Sequence, residues 1–187
     1  MNFTEEELIE GCKANKARYQ EALYNKYGSV MMGICLRYAY TSFEAEDIFH
    51  DAFIKVFKNM QAYKGAGSFE GWMKHIFVNT AINHFHKNKK RYYHGDLEDA
   101  GDMPQSDQDT LSQIDADELL DLIARLPEGY RMVFNLFAIE GYGHKEISEM
   151  LGISEGTSKS QLAKARAYLK KSLLKHHSSD YVAEQQG

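Results

Sequence analysis

Apolar residues recur every three or four positions over most of this chain, the period of helices buried along one side. Thr4 followed by Glu7 is a capping box and predicts a first helix there. A second helix is predicted over about 16–40, with Tyr19, Leu23, Tyr27, Val30, Ile34 and Tyr38 inward. Thr41 with Glu44 is a further capping box and opens a third, striped by Ile48, Phe49, Phe53, Val56, Phe57 and Met60. Gly65-Ala66-Gly67-Ser68 reads as a loop, and Ser68 is placed to cap a fourth helix from Phe69 to about Arg91. Its inward stripe is predicted as Trp72, Ile76, Phe77, Ala81 and Phe85. Over about 93–115 the period vanishes into Gly, Asp, Ser, Gln and Pro104, a tether composition. Helices return over 116–126 and, with Pro127 at a first-turn position, over 128–139. The tail after His176 is predicted to fray.

The segment 143–175 has a more specific pattern. Ile147, Met150 and Leu151 make one apolar face, and Gly152 follows where a helix stops on a left-handed residue. Ile153 can pack back on that face, and Ser154 is a suitable N-cap for the next helix. Residues 156–179 contain no acid but carry Lys159, Lys164, Arg166, Lys170, Lys171 and Lys175. This is a helix-turn-helix whose second helix suits a major groove.

The formal net charge is -5, which argues against a simple nucleic-acid coat. The charge is segregated, however. Residues 71–95 hold Lys74, Lys87, Lys89, Lys90 and Arg91 without an acid, whereas 92–124 hold many acids and, after Tyr92, no Lys or Arg. Cys12 and Cys35 have no metal-ligand spacing and read as buried thiols of a reducing compartment. The start MNFTEEEL is acidic and lacks the apolar core of a signal peptide, and no apolar run approaches a membrane span. A cytoplasmic protein is expected.

Cations, amides and aromatics combine over 71–91. Cations hold phosphate, amides pair with base edges and aromatic rings stack on bases, a set that suits single-stranded nucleic acid. The alternative is that Trp72 is a core anchor and the lysines a solvated face. The third helix carries Asp47, His50, Asp51, Lys55 and Lys58 on its polar side, by itself an ordinary solvated row. His84 and His86 point in different directions on a helix, and His176-His177 lies in the tail, so no metal or other cofactor is expected. No phosphate-cradling loop or nucleophile elbow supports an enzyme.

Four segments in this order, AEDIFHDAFIKVF at 45–57, SFEGWMKHIFVNTAIN at 68–83, LPEGYRMVFNL at 126–136 and EGTSKSQLAKAR at 155–166, resemble RNA polymerase sigma factors of the extracytoplasmic-function (ECF) type. The resemblance implies an all-α fold of two small domains, 1–92 and 116–177, joined by the acidic linker 93–115 and followed by a tail at 178–187. It implies a promoter-specificity subunit that performs no chemistry. Asp47, His50, Asp51 and Phe53 would dock on the coiled coil of the largest subunit of core RNA polymerase. Ser68 and Phe69 would line a flipped-base pocket for the minus-ten element. Trp72, Asn79 and Asn83 would present that surface, with Lys87, Lys90 and Arg91 on the strand backbone. Thr157, Ser158, Lys159, Ser160, Gln161, Ala163, Lys164 and Arg166 would read the minus-thirty-five duplex. Residues 126–137 would also meet the polymerase flap, and an anti-sigma factor is an expected partner.

The chain departs from the family pattern at Ser148, usually Ala, and at Ser158, often a branched apolar residue. Asn83 stands for a frequent Asp, and Lys159, Gln161 and Lys164 include positions where Arg is common. Lys lacks the bidentate fork that selects guanine, so base preference does not carry over. The linker, about twenty extended residues, reaches roughly 65 Å, and its acids suggest a polyanion mimic in the RNA exit path or a plain tether. Two other readings remain open: a stand-alone helix-turn-helix regulator of duplex DNA, and a recombinase or nuclease built around Glu44, Asp47 and Asp51.

Overall fold

The computed structural model describes the backbone of residues 3–92 and 116–184 and the side chains of 3–87 and 119–174. The linker 93–115, the last residues of the tail and the side chains of Lys90 and Arg91 lie outside the described residues. All regular structure among the described residues is helical. The chain divides into two compact units, Met1–Asn88 and Lys89–Gly187. No helix among the described residues is long and apolar enough to cross a membrane.

The first unit comprises α1 (Glu5–Lys13), α2 (Ala17–Tyr38), α3 (Ser42–Lys58), a 3-10 turn at Met60–Ala62 and α4 (Phe69–Tyr92). The helix starts follow from local chemistry. Thr4 Oγ1 accepts from the Glu7 N–H at 3.2 Å and the Glu7 carboxylate accepts from the Thr4 N–H at 2.8 Å. Thr41 Oγ1 accepts from the Glu44 N–H at 3.2 Å, but the Glu44 carboxylate takes the N–H of Tyr40 rather than that of Thr41. Ser68 Oγ accepts from the Gly71 N–H at 3.0 Å at the start of α4. α1 lies against α2 because Gly11 has no side chain: a Cβ there would clash with the Tyr19 ring.

The core of this unit is aromatic. Phe77 of α4 meets Phe49 and Phe53 of α3 edge-on, with centroids 6.0 and 5.2 Å apart. The inward stripes expected on α2 and α3 are largely buried, and the departures fall at particular positions of α2 and on α4. On α2, Leu23, Tyr27, Ile34 and Tyr38 are buried as expected, but Met31, with Cys35, takes the inward place expected for Val30, which is 44% exposed. On α4, Phe69, Met73, Phe77 and Ala81 form a straight i+4 row, widened by Val78 and Ile82, while Trp72, Ile76 and Phe85 are half-buried. An i+4 row is one of the ridges that fits a neighbouring helix groove, and the neighbours of α4 select it. Both cysteines are buried free thiols; burial pushes Cys12 up to about 11 and Cys35 to about 12.

The second unit comprises α5 (Ala116–Ala124), α6 (Glu128–Phe134), a π-helical turn at Asn135–Ile139, α7 (His144–Leu151) and α8 (Glu155–Glu184). The predicted helix 128–139 is therefore α6 plus the π turn. Pro127 stands just before α6. Arg131 is buried and donates from Nη1 to the Ala124 carbonyl at 2.8 Å, satisfying an end of α5. α8 continues past His176, where fraying is expected from the sequence, to Glu184.

Candidate nucleic-acid and polymerase interface

The turn before α8 is built as its residues dictate. Gly152 adopts φ 64° and ψ 41°, a left-handed conformation that a Cβ would penalise. The Ile153 N–H reaches back to the Ser148 carbonyl at 3.1 Å. Ser154 Oγ then accepts from the Thr157 N–H at 3.0 Å and starts α8. Ser148 is accommodated by bonding its hydroxyl to the Lys145 carbonyl at 2.7 Å.

Along α8, Leu162, Ala165, Leu169 and Leu173 are buried, and the opposite side exposes Lys159, Ser160, Ala163 and Lys164. Thr157 is half-buried beside the cap, and Gln161 is half-buried with its amide against Gly129, where a Cβ would approach Nε2 to 3.0 Å. Ser158 is fully buried and hydrogen-bonded to His144 Nδ1 at 2.9 Å. This corrects its assignment to base contact and explains the departure from an apolar residue: a histidine supplies the polar partner. Arg166 is exposed, and its guanidinium lies 5.8 Å from the Phe137 ring centroid.

On α4 a second outward stripe runs through Trp72, Ile76, Asn79, Asn83 and Lys87, half-buried to Asn79 and exposed beyond. Phe69 is 1% exposed and does not line an open pocket. It packs on Tyr27 and Tyr63 and stacks under Trp72, with centroids 5.6 Å apart and planes 24° off parallel. Sequence reasoning missed Tyr63, whose hydroxyl donates to the Gly67 carbonyl at 2.9 Å and ties the glycine loop back to the aromatic cluster.

On α3, Phe53 is 3% exposed and belongs to the core. It cannot offer a docking surface from there. The outward stripe is instead Phe43, Asp47, His50 and Ile54, at spacings of 4, 3 and 4; Phe43 is 80% and Ile54 49% exposed. An apolar residue at each end of a polar pair was the signal available in the sequence. Asp51 points toward α4, where its carboxylate meets His84 Nε2 at 2.9 Å. One turn on, Lys55 Nζ donates to Thr80 Oγ1 at 3.1 Å. Asp51 thus ties α3 to α4.

The His84 hydrogen bond, and then the positive charge around it from His84, Lys55 and Lys87, hold the Asp51 carboxyl below its ordinary value. A depressed carboxyl contributes stability above the unfolded value of about 3.9 and loses it as pH falls through the folded value. The urea midpoint of the natural protein should therefore exceed that of Asp51→Asn at pH 5, with the gap closing toward pH 3. A gap independent of pH over that range would show that the pairing charge contributes nothing.

A Sigma-70 region 2 family model matches residues 23–91, and a Sigma-70, region 4 model matches residues 116–169. The chain is 32% identical over 162 residues to the ECF RNA polymerase sigma factor SigW of Bacillus subtilis, covering 79% of this chain and 84% of that one. It is 28% identical over 181 residues to the RNA polymerase sigma-H factor of Pseudomonas aeruginosa, covering 90% and 93%. Among solved structures it is similar to the sigma factor RpoE in complex with the anti-sigma factor NepR from Bartonella quintana, at 16% identity and a TM-score of 0.49, covering 82% of this chain and 95% of that one. Its two matched regions define a sigma-70-type transcription initiation factor. Within that class the chain belongs to the ECF sigma factors, which direct RNA polymerase to promoters.

Proposed function

We propose that this sigma factor docks on the polymerase coiled coil through Phe43, Asp47, His50 and Ile54, captures the opened minus-ten strand on the outward stripe of α4, and reads the minus-thirty-five duplex with α8. The observation that carries the reading is the pair of separate outward faces on the first unit, one on α3 and one on α4. A regulator that binds duplex alone needs neither. On α4, Trp72 offers a half-buried ring, Asn79 and Asn83 offer amides, and Lys87 offers a cation. Binding the opened strand better than the duplex shifts the melting equilibrium without any covalent chemistry. The protein works in the cytoplasm with the polymerase, uses no cofactor, and is restrained by an anti-sigma factor. Phe53, Phe69 and Ser158 support these surfaces from beneath, and Asp51 braces α3 against α4.

The test is co-elution with bacterial core polymerase followed by run-off transcription. Phe43→Ala and Asp47→Lys should each weaken core binding at least tenfold, the size expected for an apolar anchor and for a reversed charge at an interface. Asn83→Ala should spare core binding and reduce promoter opening. Tight duplex binding without polymerase, and no co-elution, would make the protein a stand-alone regulator instead.

A further inference from the structure

The π turn and the start of α7 meet beneath α8. A π-helical turn inserts a residue into a helix, and such turns are concentrated at functional sites. Here the run Met132–Leu136 stays buried, and the next residue, Phe137, emerges half-buried. The Phe137 ring stacks on the His144 imidazole, with centroids 4.6 Å apart and planes 21° off parallel. His144 is held in turn by its 2.9 Å hydrogen bond to the buried Ser158. The guanidinium of Arg166, two turns further along α8, lies 5.8 Å from the Phe137 centroid. Ser158, His144, Phe137 and Arg166 thus form one layered strut that starts and ends on α8.

A guanidinium drawn toward an aromatic ring by cation–π attraction keeps the N–H fork along its edges free for a further partner. Those edges are the part that grips a phosphate in two parallel hydrogen bonds. An arginine already held in place loses less freedom on binding than a wandering one. No acid between 156 and 179 competes for it on α8. We infer that Phe137, backed by His144, is a positioning residue that aims the Arg166 guanidinium at a promoter phosphate. The inference rests on α8 being the duplex-reading helix.

The experiment uses the full chain with core polymerase on its own promoter duplex, located by 5′-end mapping of run-off transcripts, with affinity measured across a KCl series. Arg166→Ala should lower affinity about tenfold and the slope of log K against log salt by about 0.9, one phosphate contact. Phe137→Leu, which keeps bulk but removes the ring, should lose most of the same slope. The double variant should be no worse than Arg166→Ala alone, and Phe137→Tyr should restore the natural slope. Full natural slope in Phe137→Leu, or losses that add in the double variant, would overturn the inference. If Phe137→Leu does not fold, Arg166→Lys carries the test in an otherwise unaltered unit: it keeps a cation but lacks the planar fork, so affinity should fall several-fold, whereas undiminished affinity overturns the inference. If Arg166→Ala changes neither affinity nor slope, the reading of α8 falls as well; if it does and Phe137→Leu does not, the strut alone is wrong.

Discussion

Replacing Phe77 with alanine is expected to destabilise the first unit by about 3–5 kcal/mol, the usual cost of emptying a buried phenylalanine site. Phe77 is fully buried, and its ring edges are what α4 sets against Phe49 and Phe53 of α3. That cost is a large share of the roughly 5–15 kcal/mol that holds a domain folded. The functional consequence follows from the same packing. α3 and α4 carry the two outward faces of this unit, so loosening one against the other should impair polymerase docking and strand capture together. Thermal melting followed by far-UV circular dichroism should show the first unit's transition falling by more than about 10 °C. A fall of only a few degrees would mean that other interactions, such as Lys55 with Thr80, anchor α4.

The second large effect is expected on DNA. Lys159 and Lys164 stand on the exposed side of α8, and neither supports the core. Changing both to alanine should leave the melting temperature unchanged and weaken promoter-duplex binding roughly a hundredfold or more, taking about 1.5 kcal/mol, the lower end for a hydrogen bond to a charged group, for each. The salt dependence should also flatten, by about 0.9 for each phosphate no longer neutralised, so about 1.8 in all. The weakening should be nearly uniform across promoter sequences if both lysines hold phosphate, and confined to particular base pairs if either reads a base. An unchanged slope would place the duplex on another face of the second unit.

Helix starts were legible in the sequence because each depends on residues within about four positions. Thr4 and Glu7, Thr41, Ser68 and Ser154 bond to backbone groups one turn away. Gly152 turns the chain through its own backbone angles. The position of the helix-turn-helix, with its cations on one side, follows from these and from a simple apolar period.

Which flank of each stripe faces inward depended on the tertiary structure. An apolar stripe on a helix is wide enough that Val30 and Met31, or Trp72 and Met73, are equally plausible until the neighbouring helix is placed. The same non-local choice moved Phe69 and Ser158 from expected surfaces into the interior and left Phe43 and Ile54 outside, whereas Phe53, inward by its period, stays buried. Asp51 reads as one more acid in a solvated row, and its partner His84 lies 33 residues away. Phe137 reads as part of a continuous helix, and only the π turn brings it between His144 and Arg166. Caps, turns and charge segregation are properties of neighbours in sequence, so the chain alone determined where its helices start and its class. The packing of side chains from distant helices decided which residues form the surfaces and which hold them in place.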